Sequence, residues 1–294
     1  MRVRIGIGLG AAATPGGFAE AVDRIEQIGV DSLWLSELVF GSLVEPFVGM
    51  AHALSRTERL KVGTGVSVLP GRHPVLVAKQ LASLAGLAPG RVLPAFGLQP
   101  ARPNERGLFA VPAGRRGAVF DESLELLRLL LSQESVSFTG EFFTVDRAGV
   151  GPLPAKPLDL WLGGSTPRAL RRLGRLGDGW LASLLTPDEA RAGREAIQAA
   201  ADAVGREVER DHFGISLAVA DGAVPAELNA AIRQRRPGVD PATLVATGWA
   251  DARRLIELYI EAGLSKFIVR PTAPQPSLDR FLEDFAREMM PLQT

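Results

Sequence analysis

GTGVSVLPGRHPVLVAKQLASLAGLAPGRVLPAFG, residues 63 to 97, reads as strand, loop, helix and second strand. Its first strand belongs to the apolar run Lys61 to Leu69, its second to Val92 to Leu98, and Pro74 sits where a first-turn proline is favoured. Parallel strands covered on both faces by crossover helices give this alternation of short apolar runs with helical-period segments. The same alternation extends outward to both ends of the chain. Further runs lie at Val3 to Leu9, Ser32 to Leu35, Leu158 to Leu162, Trp180 to Ser183, Phe213 to Val219 and Lys266 to Arg270, making eight in all. Eight is the strand number of the (β/α)8 barrel. The fold expected is therefore α/β, a (β/α)8 TIM barrel with insertions at its C-terminal mouth, as one domain over residues 1–294.

The helices between the runs carry apolar stripes, Phe18, Val22, Ile25 and Ile28 in the first and Phe120, Leu124, Leu127 and Leu131 in the fourth. Pro15 suits a helix start, and Gly29 and Gly263 lie just past helical stripes, where a left-handed cap is favoured. A terminal stripe of Leu278, Phe281, Leu282 and Phe285 reads equally as a helix packed on the barrel and as a dimer contact. Three stretches are too long for minimal connections: 99–113, 132–157 and 220–245. The second is a candidate hairpin around Thr139 and Gly140. The third has helical character at Ala226 to Arg235 between Pro225 and Pro237 and is a candidate lid.

Composition narrows the function classes. Lys plus Arg equals Asp plus Glu at 33 each in 294 residues, so no global field attracts nucleic acid or an anionic membrane, and a small-molecule partner is expected. With no cysteine, a disulfide framework, a zinc ribbon and a thiolate nucleophile are excluded. The three histidines, His52, His73 and His212, do not cluster, and no metal-ligand spacing appears. MRVRIGIGLG reads as a strand rather than a signal peptide, so a cytoplasmic location is expected.

Residues 63–97 resemble the third and fourth βα units of luciferase-like monooxygenases. LDLWLGGSTPRALRRLGRLGDGW, residues 158–180, is similar to that family's fifth and sixth units, where a Gly-Gly turn opens a helix and Asp-Gly-Trp leads into the next strand. With the opening strand and AGLSKFIVRP near the end, the resemblance covers essentially the whole chain, and its nearest branch is the F420-dependent oxidoreductases. It implies coenzyme F420 as cofactor, with FMN as the alternative, hydride transfer to or from a small organic substrate, and a possible homodimer.

Gly163, Gly164 and Ser165 lie between a strand and a helix start, where free N–H groups and the helix dipole suit a phosphate; close packing of strand and helix explains two glycines equally well. The resemblance implies the cofactor's phosphate there, with Gly97 and Leu98 as a second wall. Thr64, Gly65 and Val66 sit in strand three, where a glycine marks a bulge or a close backbone approach. By resemblance, the Gly65-Val66 peptide is a cis bond against the cofactor ring. Ser36 and Glu37 follow strand two at the mouth. Glu37 is the acid/base candidate, on the argument that desolvation beside an aromatic system favours a proton-donating carboxyl; a helix-capping Glu is the alternative. This chain departs from the family here, having Ser36-Glu37 where Asp-His is common and Leu98-Gln99 where a Glu follows strand four. Arg270, ending strand eight before Pro271, is positioned to hold a substrate carboxylate or carbonyl in a forked contact, or to close the barrel end as an ion pair. Arg72, His73, Arg102 and Arg106 occupy two mouth loops and are candidates to meet an anionic cofactor tail. Near Leu184 and Leu185 no lysine matches those that bind sugar phosphates in the family, which argues against a phosphorylated sugar. Trp180 is read as a turn and core anchor. Two rivals to a deazaflavin enzyme are a flavin monooxygenase and a cofactor-binding protein without catalysis.

Overall fold

In the computed structural model, which describes residues 2–272 and 278–294, the chain is a closed barrel. Its strands are β1 (Arg4–Gly8), β2 (Ser32–Leu35), β3 (Lys61–Thr64) continuing as β4 (Ser67–Val68), β5 (Val92–Leu93) continuing as β6 (Ala95–Gly97), β9 (Trp161–Gly163), β10 (Gly179–Ser183), β11 (Phe213–Val219) and β13 (Lys266–Pro271). β7 (Val136–Thr139) and β8 (Thr144–Ala148) form a separate antiparallel hairpin, and β12 (Val245–Ala246) adds to β11. Strands β1, β2, β3 and β5 pair in sequence; β4, β6, β9, β10, β11 and β13 pair in sequence; β13 pairs with β1. All these pairings are parallel. Because β3 with β4 and β5 with β6 are each one interrupted strand, the path closes on itself with eight staves. The third stave is interrupted at Gly65-Val66, a cis peptide, and the fourth at Pro94, which has no N–H to give to a ladder.

Helices α1 (Pro15–Ile28), α2 (Pro46–Arg56), α3 (Pro74–Leu87), α4 (Arg116–Ser132), α5 (Pro167–Leu176), α6 (Pro187–Asp202), α7 (Ala226–Arg235), α8 (Trp249–Glu261) and α9 (Leu278–Glu288) cover the staves. The stripes on α1 and α4 are buried, and Gly29 ends α1 with φ 83° as a left-handed cap should. The terminal stripe packs inside the molecule: Trp249 of α8 meets Phe281 and Phe285 of α9 with ring centroids 5.3 and 6.5 Å apart. The 132–157 stretch contains the expected hairpin, and α7 spans the helical segment expected within 220–245. Among the described residues no helix is long and apolar enough to cross a membrane.

Inside the barrel the lower layer is large and the upper layer small. Trp34, Ala95, Trp161, Leu181 and Ile268 form the buried interior cluster, with Val66 and Leu93 against it. Glycines make room for the indoles: a Cβ on Gly179 would stand 2.4 Å from the Trp161 ring, and one on Gly6 2.9 Å from Trp34 Nε1. Beneath them Lys266, the first residue of β13, places its ammonium 5.9 and 5.8 Å from the Trp34 and Trp161 ring centroids and donates to Asp31 at 3.0 Å. Lys61 donates to the other Asp31 oxygen, also at 3.0 Å.

Burial alone would raise the Asp31 carboxyl, but the charges of Lys266 and Lys61 and their hydrogen bonds outweigh it and hold it at about 2. Burial meanwhile pushes Lys266 below its ordinary range, against the pull of Asp31. The pair is thus a desolvated plug whose carboxylate is tightly held. Removing one member of such a pair costs about 3–5 kcal/mol, because the other charge is left buried alone. A carboxyl depressed on folding stabilises above its ordinary value and stops doing so as pH falls through its folded one. Asp31→Asn is therefore expected to lower the urea midpoint at neutral pH, and the gap from the natural protein should narrow as pH falls from 3.8 towards about 2. Unfolding titrations of both proteins across that range measure it.

Candidate active site

Above the tryptophan layer, the residues facing inward at the C-terminal ends of the strands are small. Gly97, Gly163, Ser183 and Ser216 line a cavity of about 570 Å³ that opens at the mouth. That volume lies in the range, roughly 300–1,000 Å³, of pockets that enclose small-molecule ligands. Ser36, Glu37, Gly65, Val66, Leu98, Gly164, Ser165 and Arg270 line the same cavity. Of the residues expected at the cofactor ring, its phosphate and the substrate, Thr64 alone is absent from its walls, and the four basic residues expected at a cofactor tail lie elsewhere. Thr64 is fully buried, and its hydroxyl donates to the Ala95 carbonyl at 2.6 Å and accepts from the Ala95 N–H at 2.9 Å. Its expected contact with a cofactor is corrected accordingly: the hydroxyl is spent tying the third stave to the fourth.

Val66 projects between two glycines. A Cβ on Gly97 would lie 2.7 Å from Val66 Cγ2, and one on Gly163 3.3 Å from Val66 Cγ1. Any side chain at either position would collide with Val66 or displace it, so these glycines keep that wall narrow and smooth. Across the Gly163-Gly164 turn, Gly164 has φ 117°, where an L side chain is strained, and a Cβ there would also stand 2.9 Å from Ala169 Cβ. Thr166 caps α5, accepting from the Ala169 N–H at 3.2 Å, and Pro167 follows at the first helical position. The turn carries the chain from the cavity wall directly into the helix N-terminus, where first-turn N–H groups lack intrahelical acceptors.

Glu37 is buried, and three N–H groups converge on its carboxylate. The Val68 amide donates at 2.8 Å, and Arg72 reaches both oxygens, Nη1 at 3.0 Å and Nη2 at 2.7 Å. Arg72 also lies over the Phe109 ring, 5.1 Å from its centroid. The expectation of a lone carboxyl poised to donate a proton is corrected by this forked ion pair: Glu37 acts as an acceptor that fixes the strand beyond the Gly65-Val66 peptide. The four basic residues expected at a cofactor tail do not converge either. Arg72 is taken by Glu37, His73 caps α3 by accepting from the Val75 N–H at 3.3 Å and meets the Phe143 ring edge-on, Arg102 donates to the Phe40 carbonyl, and Arg106 is exposed on the turn Pro103–Leu108. Arg72 and His73 instead border a smaller cavity of about 350 Å³ with Phe142 and Phe143.

A family model described as luciferase-like monooxygenase matches residues 1–269. The chain belongs to that family. Among curated relatives, an uncharacterized protein of Mycobacterium tuberculosis is 38% identical over 146 residues, and that match spans 50% of this chain and 50% of the relative. The F420-dependent glucose-6-phosphate dehydrogenase of Kineococcus radiotolerans is 25% identical over 95% of this chain and 93% of its own length. Among solved structures, an F420-dependent secondary alcohol dehydrogenase in complex with an F420-acetone adduct superposes with a TM-score of 0.83 at 20% identity, covering all of both chains. The oxygenating constituent of 3,6-diketocamphane monooxygenase from Pseudomonas putida, in complex with FMN, gives 0.75 at 16% identity over 99% of each.

Two features of this luciferase-like barrel were not read as site features in the sequence, and a third differs from its expected form. Trp180, read as a core anchor, donates from Nε1 to the Gly164 carbonyl at 2.9 Å and so orients the turn that feeds α5. Leu184, just beyond β10, has φ 53° and lines the cavity. The 220–245 segment, expected as a lid, is tied down: Arg235 donates to the Ala101 carbonyl at 2.8 Å, and Arg236 bonds the Leu184 carbonyl and pairs with Glu189. Nothing in the linear sequence signals that donor, since Trp180 lies sixteen residues from Gly164 on the neighbouring strand. Trp180→Phe removes the donor and also shortens a fully buried ring system, leaving a cavity. It should cost more than the about 0.5–1.5 kcal/mol usual for one hydrogen bond, measured as a lower midpoint in urea.

Proposed function

We propose that this chain is a coenzyme F420-dependent oxidoreductase that moves a hydride between the deazaflavin and a small organic substrate inside the mouth cavity. The observation that carries the reading is the smooth wall at Val66, kept open by Gly97 and Gly163, beside the Gly163-Gly164 turn that leads into the N-terminus of α5. A flat ring bearing a phosphate arm fits those two features together: the wall takes the ring and the helix N-terminus takes the anion. The F420-dependent relative of near-full coverage supports the same cofactor.

When bound, the deazaflavin would supply the redox chemistry, exchanging two electrons and one proton together as hydride at one ring carbon. The protein supplies position and polarity. Val66, with Gly65 behind it, backs the ring; Leu98 borders it; Gly164 and Ser165 present N–H groups to the phosphate; Ser36 lies on the rim. Glu37 and Arg72 hold the Val68 amide and so keep Val66 in place. Ser183 and Ser216 offer hydroxyls to a substrate oxygen within the same cavity. A closed, largely apolar floor of Trp34, Trp161 and Leu181 excludes water from beneath the reacting groups.

Quenching of intrinsic tryptophan fluorescence by added F420 or FMN tests the reading, because Trp34 and Trp161 belong to the buried cluster packed against the cavity-lining Val66 and Leu181. F420 is expected to quench saturably, and Gly163→Val, which crowds Val66, is expected to weaken it by about tenfold or more, equivalent to about 1.4 kcal/mol. Tight FMN binding without F420 binding would transfer the proposal to a flavin monooxygenase. F420 binding with no turnover over a broad panel of ketones, alcohols and enones would favour a cofactor carrier.

A further inference from the structure

The charges around the cavity do not cancel. Glu37 is neutralised by Arg72, and Arg172 by Asp121. Arg235, at the exposed end of α7, donates to the Ala101 carbonyl and has no carboxylate partner; nor, among the described residues, does Arg270, which extends from a barrel strand. It projects from the C-terminal end of β13 into the cavity, and its one hydrogen bond among the described residues runs from Nε to the neutral Ser216 hydroxyl at 3.3 Å. No carboxylate of the described residues pairs with it, and the stretch Ala273 to Ser277 contains no acid in its sequence. Arg270 is half-buried, and that burial pushes the guanidinium below its ordinary value. A buried charge left unpaired is costly, and a ligand that brings the opposite charge recovers that cost on binding.

Geometry adds direction. In a ring of eight staves the eighth lies opposite the fourth, so Arg270 faces Gly97 and the Val66 wall across the cavity. Its terminal nitrogens form no hydrogen bond among the described residues, leaving a planar donor edge matched to a carboxylate.

We propose that Arg270 makes the cavity selective for a small organic anion, and that the substrate bears a carboxylate held there in a forked contact. A neutral carbonyl would satisfy the donors but leave the charge standing. The inference rests on the deazaflavin reading only for what lies on the opposite wall; the anion site stands on the chain's own charges.

Calorimetric titration of the natural protein and Arg270→Gln tests it, using acetate, butyrate and hexanoate, each beside its matching primary amide, with and without F420. The natural protein is expected to bind at least one carboxylate about tenfold or more tightly than its amide, and Arg270→Gln to bring the pair within about twofold while F420 affinity holds within about threefold. Ser216→Ala, which removes the hydroxyl orienting Arg270, should weaken the carboxylate a few-fold and serves if Arg270→Gln does not fold. Equal binding of carboxylate and amide by the natural protein, or a preference that survives Arg270→Gln, would overturn the proposal. So would a loss of F420 affinity in Arg270→Gln in place of the carboxylate preference, since the arginine would then serve the cofactor. If F420 does not bind the natural protein but the Arg270-dependent preference remains, the proposed oxidoreductase falls and the anion site stands.

Discussion

Everything at the mouth depends on how volume is distributed inside the barrel. A closed eight-stave barrel is ordinarily filled by layers of side chains and is no pore. Here the lower layers are filled by two tryptophans over an ammonium, and the layer above them is glycine and serine. The void is the space that ordinary branched residues would occupy. Its shape is fixed by what cannot be added: a single methyl on Gly97 meets Val66. The large residues below provide the rigidity and the small ones above provide the room, so core and site are one packing solution.

Electrostatics follows the same vertical division. At the base Asp31 binds two lysines, and the result is a plug with its charges engaged. At the rim Glu37 is consumed by Arg72 and a backbone amide. Among the described residues, Arg270 on the eighth stave and Arg235 at the end of α7 line the cavity without a carboxylate partner, and of the two Arg270 projects from the barrel itself. The polar groups left to meet a ligand are therefore a guanidinium, several hydroxyls and the N–H groups at the α5 start, a donor-rich set suited to oxygen-bearing and anionic groups. Both an F420-dependent and an FMN-bound enzyme superpose on the chain, so fold alone does not choose the reaction.

Much of this was legible in the sequence. The eight apolar runs, the cap at Gly29, the hairpin around Thr139 and Gly140 and the helix at Ala226 to Arg235 all follow from local periodicity and turn chemistry, which a linear text preserves. Nearly every residue expected at the site lines the cavity because barrel mouths collect the ends of strands, and strand ends can be counted. The cis Gly65-Val66 peptide came from the family resemblance and not from the residues themselves. What the text withheld was partnership. Arg72 lies 35 residues from Glu37, and Lys266 lies 235 from Asp31, so no periodicity joins them. Thr64 was misplaced for a related reason: alternation puts it on the opposite side from Gly65, and only the interruption at Gly65-Val66 lets two successive residues reach the cavity. Trp180 was read as packing because its donor has no linear signature.

The most direct test of the central claim is a crystal structure of the protein grown with F420. The account predicts ring density lying against Val66 between Gly97 and Gly163, with the phosphate at the amides of Gly164 and Ser165 and the tryptophan floor unmoved. Density for the cofactor outside the mouth cavity, or a cavity closed by side chains with the cofactor absent at saturating concentration, would contradict it.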